Sequence, residues 1–434
     1  MPTWRSANRI FPGSHACLRR SNKLKIVEIR WHNYRLPFLK GFITAHGVIT
    51  TREGIIVQIT SERGISGTGE IAPLPAFSGV SLADACSLLP PLAARLLDKT
   101  LDEALAVVWA ECKTGNVGAV GVPSSQMSRR LDAPASFLAE SKRTASRQSP
   151  IDRLAFSTAV CGLEIALLDA IGKAEGCGVC TLLSQVGTVP RAKVPVNAVI
   201  GALAPGAAIA AAQEARHNGF RCVKLKVGLG SSIQEEIERV AAVREAIGPA
   251  THLRLDANEA WNLEQAIAIL SQCVPYNIQY VEQPLKAHDL AGMRALRQAV
   301  SIPIAVDEAL HSLENARLIL DNEAADVLVI KPQLAGGLCV GQQIIQAAAE
   351  RGVGSVISST LEAGIGVGAA LHLAAASPTV TLECGFGTLH LLADDLVVND
   401  LSIRDGFLAI PTGPGLGIVL DQEALNRYSF RGLD

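Results

Sequence analysis

The chain has 434 residues, 49% of them hydrophobic and 18% charged, with a net charge of -2. That describes an ordinary globular protein long enough for two domains or one large one. A near-neutral surface gives no footprint for nucleic acid or an anionic membrane, so neither is expected as a partner. Ten cysteines without regular spacing argue against a disulfide framework and for a reducing compartment. The one close pair, Cys177 and Cys180, has no second pair or histidine cluster near it and reads as incidental packing thiols.

Residues 1–24 read as a disordered extension or targeting segment. Arg5, Arg9, Arg19, Arg20, Lys23 and Lys25 precede the first acid, Glu28. This is the composition of an organelle transit peptide, without a clear amphipathic helix. A bacterial extension or an over-called start codon gives the same pattern, so the expected location is the bacterial cytoplasm, with a plastid as the alternative.

Residues 25–192 read as an α+β capping domain. Its strands are "KLKIVEIRWH" and "EGIIVQITS", its helices start near Ser81 and Leu101, and a further helix is "LAFSTAVCGLEIALLDAIGKAEG". Between the helices, a stretch at about 113–150, rich in Gly, Ser, Pro and Arg, reads as a flexible insertion.

From 193 to 390 the chain repeats. Strand-like runs "VPVNAVIG", "CVKLKVG", "HLRLDAN", "IQYVEQP", "IPIAVDE", "VLVIKPQ", "SVISST" and "VTLECG" alternate with Ala-rich amphipathic helices at a period of about 25 residues. Eight such units imply parallel strands with right-handed crossovers, closed as a (β/α)8 barrel. Residues 391–434 read as strand and turn returning to the capping domain. The apolar run Val356 to Ser377 holds Glu362, His372 and several glycines and is not read as a membrane span.

Lys226, Asp256, Glu282, Asp307 and Lys331 fall near the C-terminal ends of strands two to six of the repeat. Barrel active sites lie at those ends, so the five side chains converge on one mouth. Three carboxylates on adjacent strands repel unless a cation binds them, and oxygen ligands favour Mg²⁺, with Mn²⁺ as the alternative. The plainer reading makes each acid a strand-end or N-cap residue.

Lys224 and Lys226 alternate onto one face of their strand. Burial beside Lys224 and a metal ion is expected to lower the basicity of Lys226 until it can act as a base. The competing reading pairs both lysines with the carboxylates. A divalent ion between two lysines suits abstraction of a proton next to a carboxylate, because the enediolate formed needs a cation.

"VKLKVG", "LRLDANEAW", "YVEQPL", "AVDEAL" and "VIKPQLAGG" resemble the enolase superfamily, muconate-lactonizing subgroup. Within it, "GEIAPLPAFSG" resembles the lid loop of the o-succinylbenzoate synthase family, and "PTGPGLGI" is similar to its C-terminal turn. The resemblance spans about Lys25 to Leu420. It implies a Mg-dependent carbon–oxygen lyase that dehydrates 2-succinyl-6-hydroxy-2,4-cyclohexadiene-1-carboxylate in menaquinone or phylloquinone biosynthesis. It further implies that Lys226 takes the α-proton and returns it to the leaving hydroxyl, that Asp256, Glu282 and Asp307 hold the metal, and that Lys331 stabilises the enediolate. N-acylamino acid racemase, dipeptide epimerase and muconate cycloisomerase share this site and remain the alternatives.

Further substrate contacts are expected from Lys224, from Arg254 toward a carboxylate, from Ser358 and Ser359, and from Phe77 in the lid. The helix opened by "GIGVGA" is expected to offer its amides to an anion. That segment half-matches a dinucleotide fingerprint but stands seventh in the series of units. The expected partner is a small carboxylate substrate, met by a monomer or a homo-oligomer.

Overall fold

The computed structural model describes residues 21–44, 47–114, 149–201, 204–230 and 232–430. The basic extension, apart from its last four residues, and nearly all of the insertion lie outside the described residues.

Strands β1 (Ile26–Thr44) and β2 (Gly47–Ser61) form a long antiparallel hairpin in which Trp31 lies opposite Val57. Strand β3 (Ser66–Ile71) adds to β2 and completes a three-stranded sheet. Helices α1 (Leu82–Leu96), α2 (Leu101–Thr114) and α3 (Pro150–Glu175) follow. Ser81 and Ser149 start α1 and α3 with capping boxes closed by Asp84 and Asp152.

β3 carries glycines where a strand ordinarily carries β-branched residues, because α3 lies directly on it. A Cβ at Gly67 would stand 2.0 Å from the Ala166 carbonyl, and one at Gly69 2.0 Å from that of Gly162. By length and composition α3 passes for a membrane span, yet 89% of its apolar window is buried within the protein. It is a core helix, wedged between the sheet and the barrel.

The barrel strands are β5 (Ala198–Ile200), β6 (Cys222–Lys226), β7 (His252–Asp256), β8 (Ile278–Glu282), β9 (Ile304–Val306), β10 (Val327–Ile330) and β11 (Gly354–Ile357). They form one parallel sheet in chain order. The eighth stave is pared down to Cys384 and Gly385, which bridge Val196 and Ser358 and close the cylinder. Four of the helices between strands open on Ser232, Asn262, Asp289 and Ser312, each accepting an amide of the first turn. None of the three mouth acids is an N-cap.

Inside the cylinder Tyr280, Ala305, Val327, Val329 and Val356 make a small core of their own. The polar mouth sits above it. After the barrel, strand β12 (Phe407–Ala409) pairs with β4 (Lys193–Pro195), and Leu392 and Ser429 bridge Phe38 and Tyr34 of β1.

Candidate active site

Register puts the reactive residues on one level. Lys226 lies beside Asp256 and Asp256 beside Glu282, while Glu282 is paired with Ala305, two residues before Asp307 on the same face. Lys331 follows directly on β10.

The Lys226 ammonium donates to Asp256 Oδ2 at 2.7 Å and to Asn258 Oδ1 at 2.5 Å. Lys224 reaches Asp256 Oδ2 at 3.0 Å and Glu282 Oε1 at 2.9 Å. Lys331 donates to Asp307 Oδ2 at 2.6 Å. The carboxylates are all but inaccessible, whereas the Lys226 side chain keeps 18% of its surface exposed.

Burial opposes charge on all these groups, and the outcome differs with the neighbours. Burial raises Asp256, but Lys224 and Lys226 together bring it well below the usual carboxylate range. Glu282 is pushed up to about 7 by burial and by the nearby Asp256 and Asp307. Burial lowers Lys224 and Lys331, yet Asp256 and Glu282 around the first, and Asp307 and Glu308 around the second, raise both above an ordinary lysine. Lys224 therefore does not stand beside Lys226 as an unbalanced cation. Both lysines reach the same oxygen of Asp256, Oδ2.

Among the described residues no three acidic, imidazole or thiol groups stand close enough together to form a ready ligand cluster. The donor chemistry nevertheless fits a hard divalent cation. Three buried carboxylates end adjacent strands, Glu282 is held up by burial and by its acidic neighbours, and Glu308 has a buried Oε2 with no partner among the described residues.

Three residues invisible to sequence reasoning complete the mouth. Asn258, in the left-handed region at φ 41°, links Lys226 to Glu308 by donating to Glu308 Oε1 at 2.9 Å. Glu308 is pushed up to about 8 by burial and by Asp307. Gln283 accepts the Asp307 and Ala309 amides and so fixes the turn that carries Asp307. The only sequence signal was their presence inside the quoted motifs.

The expected substrate contacts fall in different places. Arg254 does not face the mouth: it is fully buried one layer down, where it donates to Gln279, to the Glu383 carbonyl at 2.7 Å and to Glu383 Oε2 at 2.8 Å. Its guanidinium also stacks 4.7 Å from the Tyr280 ring. Four of its five N–H groups are bonded within the barrel, the fourth bond being to Asn197 Oδ1 at 3.4 Å, and the side chain is fully buried. Lys224 is likewise engaged by its two acids. The N-terminus of the helix Gly364–Ala376 already holds the protein's own acids: Glu70 takes the Ala363 and Gly366 amides and Asp395 takes that of Gly364. An external anion is not needed there. Ser358 and Ser359 are buried at the closing seam, the first against the Gly385 carbonyl and the second against Thr388 Oγ1. Phe77 of the lid does reach the mouth, with its ring centre 5.2 Å from the Lys331 ammonium.

Comparison with known proteins decides the ancestry of this mouth. The family model "Enolase C-terminal domain-like" matches residues 207–424, half of the chain. The chain belongs to the enolase superfamily. A second model, "MenC, N-terminal domain", matches residues 26–106. L-Ala-D/L-Glu epimerase of Bacillus subtilis (strain 168) is 28% identical over 91% of this chain and 97% of its own length. The o-succinylbenzoate synthase of Thermobifida fusca (strain YX) is 36% identical over 51% of this chain and 67% of its own length. The muconate lactonizing enzyme of Pseudomonas fluorescens has the same fold, with a TM-score of 0.78, 24% identity and coverage of 94% of this chain and all of that one. This superfamily member is an enzyme, built as a barrel with an antiparallel cap.

Proposed function

We propose that the chain is a carbon–oxygen lyase that dehydrates 2-succinyl-6-hydroxy-2,4-cyclohexadiene-1-carboxylate to 2-succinylbenzoate. One observation carries the reading: two lysines, Lys226 on the buried Asp256 and Lys331 on the buried Asp307, rise from β6 and the end of β10 on opposite flanks of one mouth. The match of residues 26–106 to the MenC N-terminal model and the 36% identical synthase support this substrate.

Lys226 is the base. It faces the α-proton with the more open of the two amines, and Asn258 and Asp256 fix its direction. After taking the proton it delivers it to the departing hydroxyl, so one residue serves both halves of the elimination. Lys331 lies under Phe77 on the other flank, where its charge faces the carboxylate as negative charge develops. Asp256, Glu282 and Asp307 would hold Mg²⁺. Bound there, the ion supplies neutralisation of the substrate carboxylate.

Incubation with Mg²⁺ and the diene, followed by ultraviolet absorbance, is expected to show the aromatic product; its absence contradicts the reading. A hundredfold excess of Mg²⁺ over its Kd is expected to stabilise the protein by about 2.7 kcal/mol. Asp256→Asn is expected to remove that thermal shift.

A second reading, epimerisation or racemisation of an acylated amino acid, is favoured by the epimerase match over 91% of the chain. Both lysines then act as bases. Lys331→Ala would abolish inversion while α-proton exchange on the Lys226 side survives. Fast racemisation of an N-succinyl amino acid without diene turnover would put this reading first.

A further inference from the structure

β3 ends at Ile71 and the lid begins at once, as Ala72, Pro73 and Leu74 followed by a helical turn at Pro75–Ser78 and the left-handed Gly79. Past Ile71 this backbone has no partner strand among the described residues, and its prolines have no amide to offer. Two buried side chains from elsewhere take its polar groups instead.

Gln333, 2% exposed, accepts the Ala72 amide at 3.1 Å and donates to the Glu70 carbonyl at 2.8 Å. It makes the pair of bonds a neighbouring strand would make. Arg52 donates to the Ala72 carbonyl at 2.7 Å, the Pro73 carbonyl at 2.6 Å and the Leu361 carbonyl at 2.8 Å. Arg52 thus ties the same lid root to the loop after β11.

Gln333 also has an address on the reactive side. It lies two residues after Lys331, in the helical turn Pro332–Ala335. The next turn is fixed in its own right, because Glu164 of α3 accepts the Leu338 and Cys339 amides at the start of the helix Leu338–Glu350. Gly337 leaves room for it: a Cβ there would stand 2.1 Å from Glu164 Oε2. The lid root and the Lys331 loop are therefore joined through one amide side chain. At the far end of the lid Phe77 stands over the Lys331 ammonium.

We infer that Gln333 is a positioning residue that ties the lid to the Lys331 loop, so that the placement of Phe77 over Lys331 is set by a buried amide two residues from the lysine. An apolar residue of the same size would leave the Ala72 amide and the Glu70 carbonyl buried and unpaired, and the root would move to find water. The inference rests on Lys331 being a site lysine and not on which substrate is turned over.

The test combines Gln333→Met, Phe77→Ala and the double variant, with steady-state kinetics on the diene and amide hydrogen exchange of the unliganded proteins. Exchange at Ala72 and through Phe77 to Gly79 is expected to rise about tenfold or more in Gln333→Met. Its KM is expected to rise about tenfold, more than kcat falls, and the double variant to be no worse than the poorer single variant. Gln333→Glu keeps the acceptor and loses the donor, so it should fall between; it carries the same comparison where Gln333→Met fails to fold. Unchanged lid exchange, or penalties that multiply in the double variant, would overturn the inference. Failure of the unmodified protein to turn over the diene would sink the dehydratase reading alone, since the exchange experiment still decides the role of Gln333.

Discussion

Two charged layers lie inside one barrel, a single side-chain step apart on the same strands, and they do different work. In the lower layer Arg254 spends its donors on Gln279, Glu383 and the main chain and stacks on Tyr280. In the upper layer Lys226 and Lys331 rest on crowded carboxylates, and Glu308 keeps a buried oxygen without a partner. Residue type and strand do not separate a site from a structural network. Spare bonding capacity does, because a ligand can enter only where polar atoms are incompletely satisfied by the protein.

The sharpest way to break this contrast is to remove the amines. Lys226→Ala is expected to lower kcat by about 10³-fold, within the range for loss of a general base, and Lys331→Ala to cost a similar factor. Steady-state rates at saturating Mg²⁺ check both, with thermal melts showing that the fold persists.

Arg254→Met should do the reverse. It strands Glu383 in a nearly closed space, which is expected to cost about 3–5 kcal/mol in denaturant unfolding. Turnover per folded molecule should stay within about threefold of the unmodified protein.

The pH dependence of stability probes a buried acid away from both layers. Burial pushes Glu164 up to about 7 from an ordinary 4.5, although Trp109 and the Leu338 and Cys339 amides pull it back. Its folded pKa is raised, so the folded protein keeps a proton that the unfolded chain releases. That contribution is complete below about 4.5 and is lost as pH rises through 7, a change on the order of 3 kcal/mol. Melting temperature should fall from pH 5 to pH 8, and more gently in Glu164→Gln.

The smallest expected effect is at Asn258. Replacement by Ala removes one of two hydrogen bonds on the Lys226 ammonium and is expected to lower kcat about tenfold. A larger loss in Asn258→Ala than in Lys226→Ala would place the chemistry elsewhere in the mouth.

The barrel was legible because eight runs of β-branched residues recur at a constant period, and that period alone brings five polar residues to one level. Only the eighth run, "VTLECG", is reduced to two bridging residues. β3 was hidden: "SGTGEI" trades strand formers for glycines so that α3 can lie against it. The failure at Arg254 has a physical cause too. Its partner, Glu383, lies 129 positions away on the eighth stave, and nothing local distinguishes an arginine facing a substrate from one facing another strand. A still longer separation, 296 positions from Gly366, concealed Glu70, which lies beside the lid in sequence but caps the helix that opens at Gly364.

The most direct measurement compares 2-succinylbenzoate formation by Lys226→Ala and Arg254→Met, each normalised to its folded fraction and saturated with Mg²⁺. Loss of about 10³-fold in the first and near-full activity in the second is the predicted result. Turnover that survives in Lys226→Ala, or vanishes equally in folded Arg254→Met, contradicts the placement of the chemistry in the upper layer.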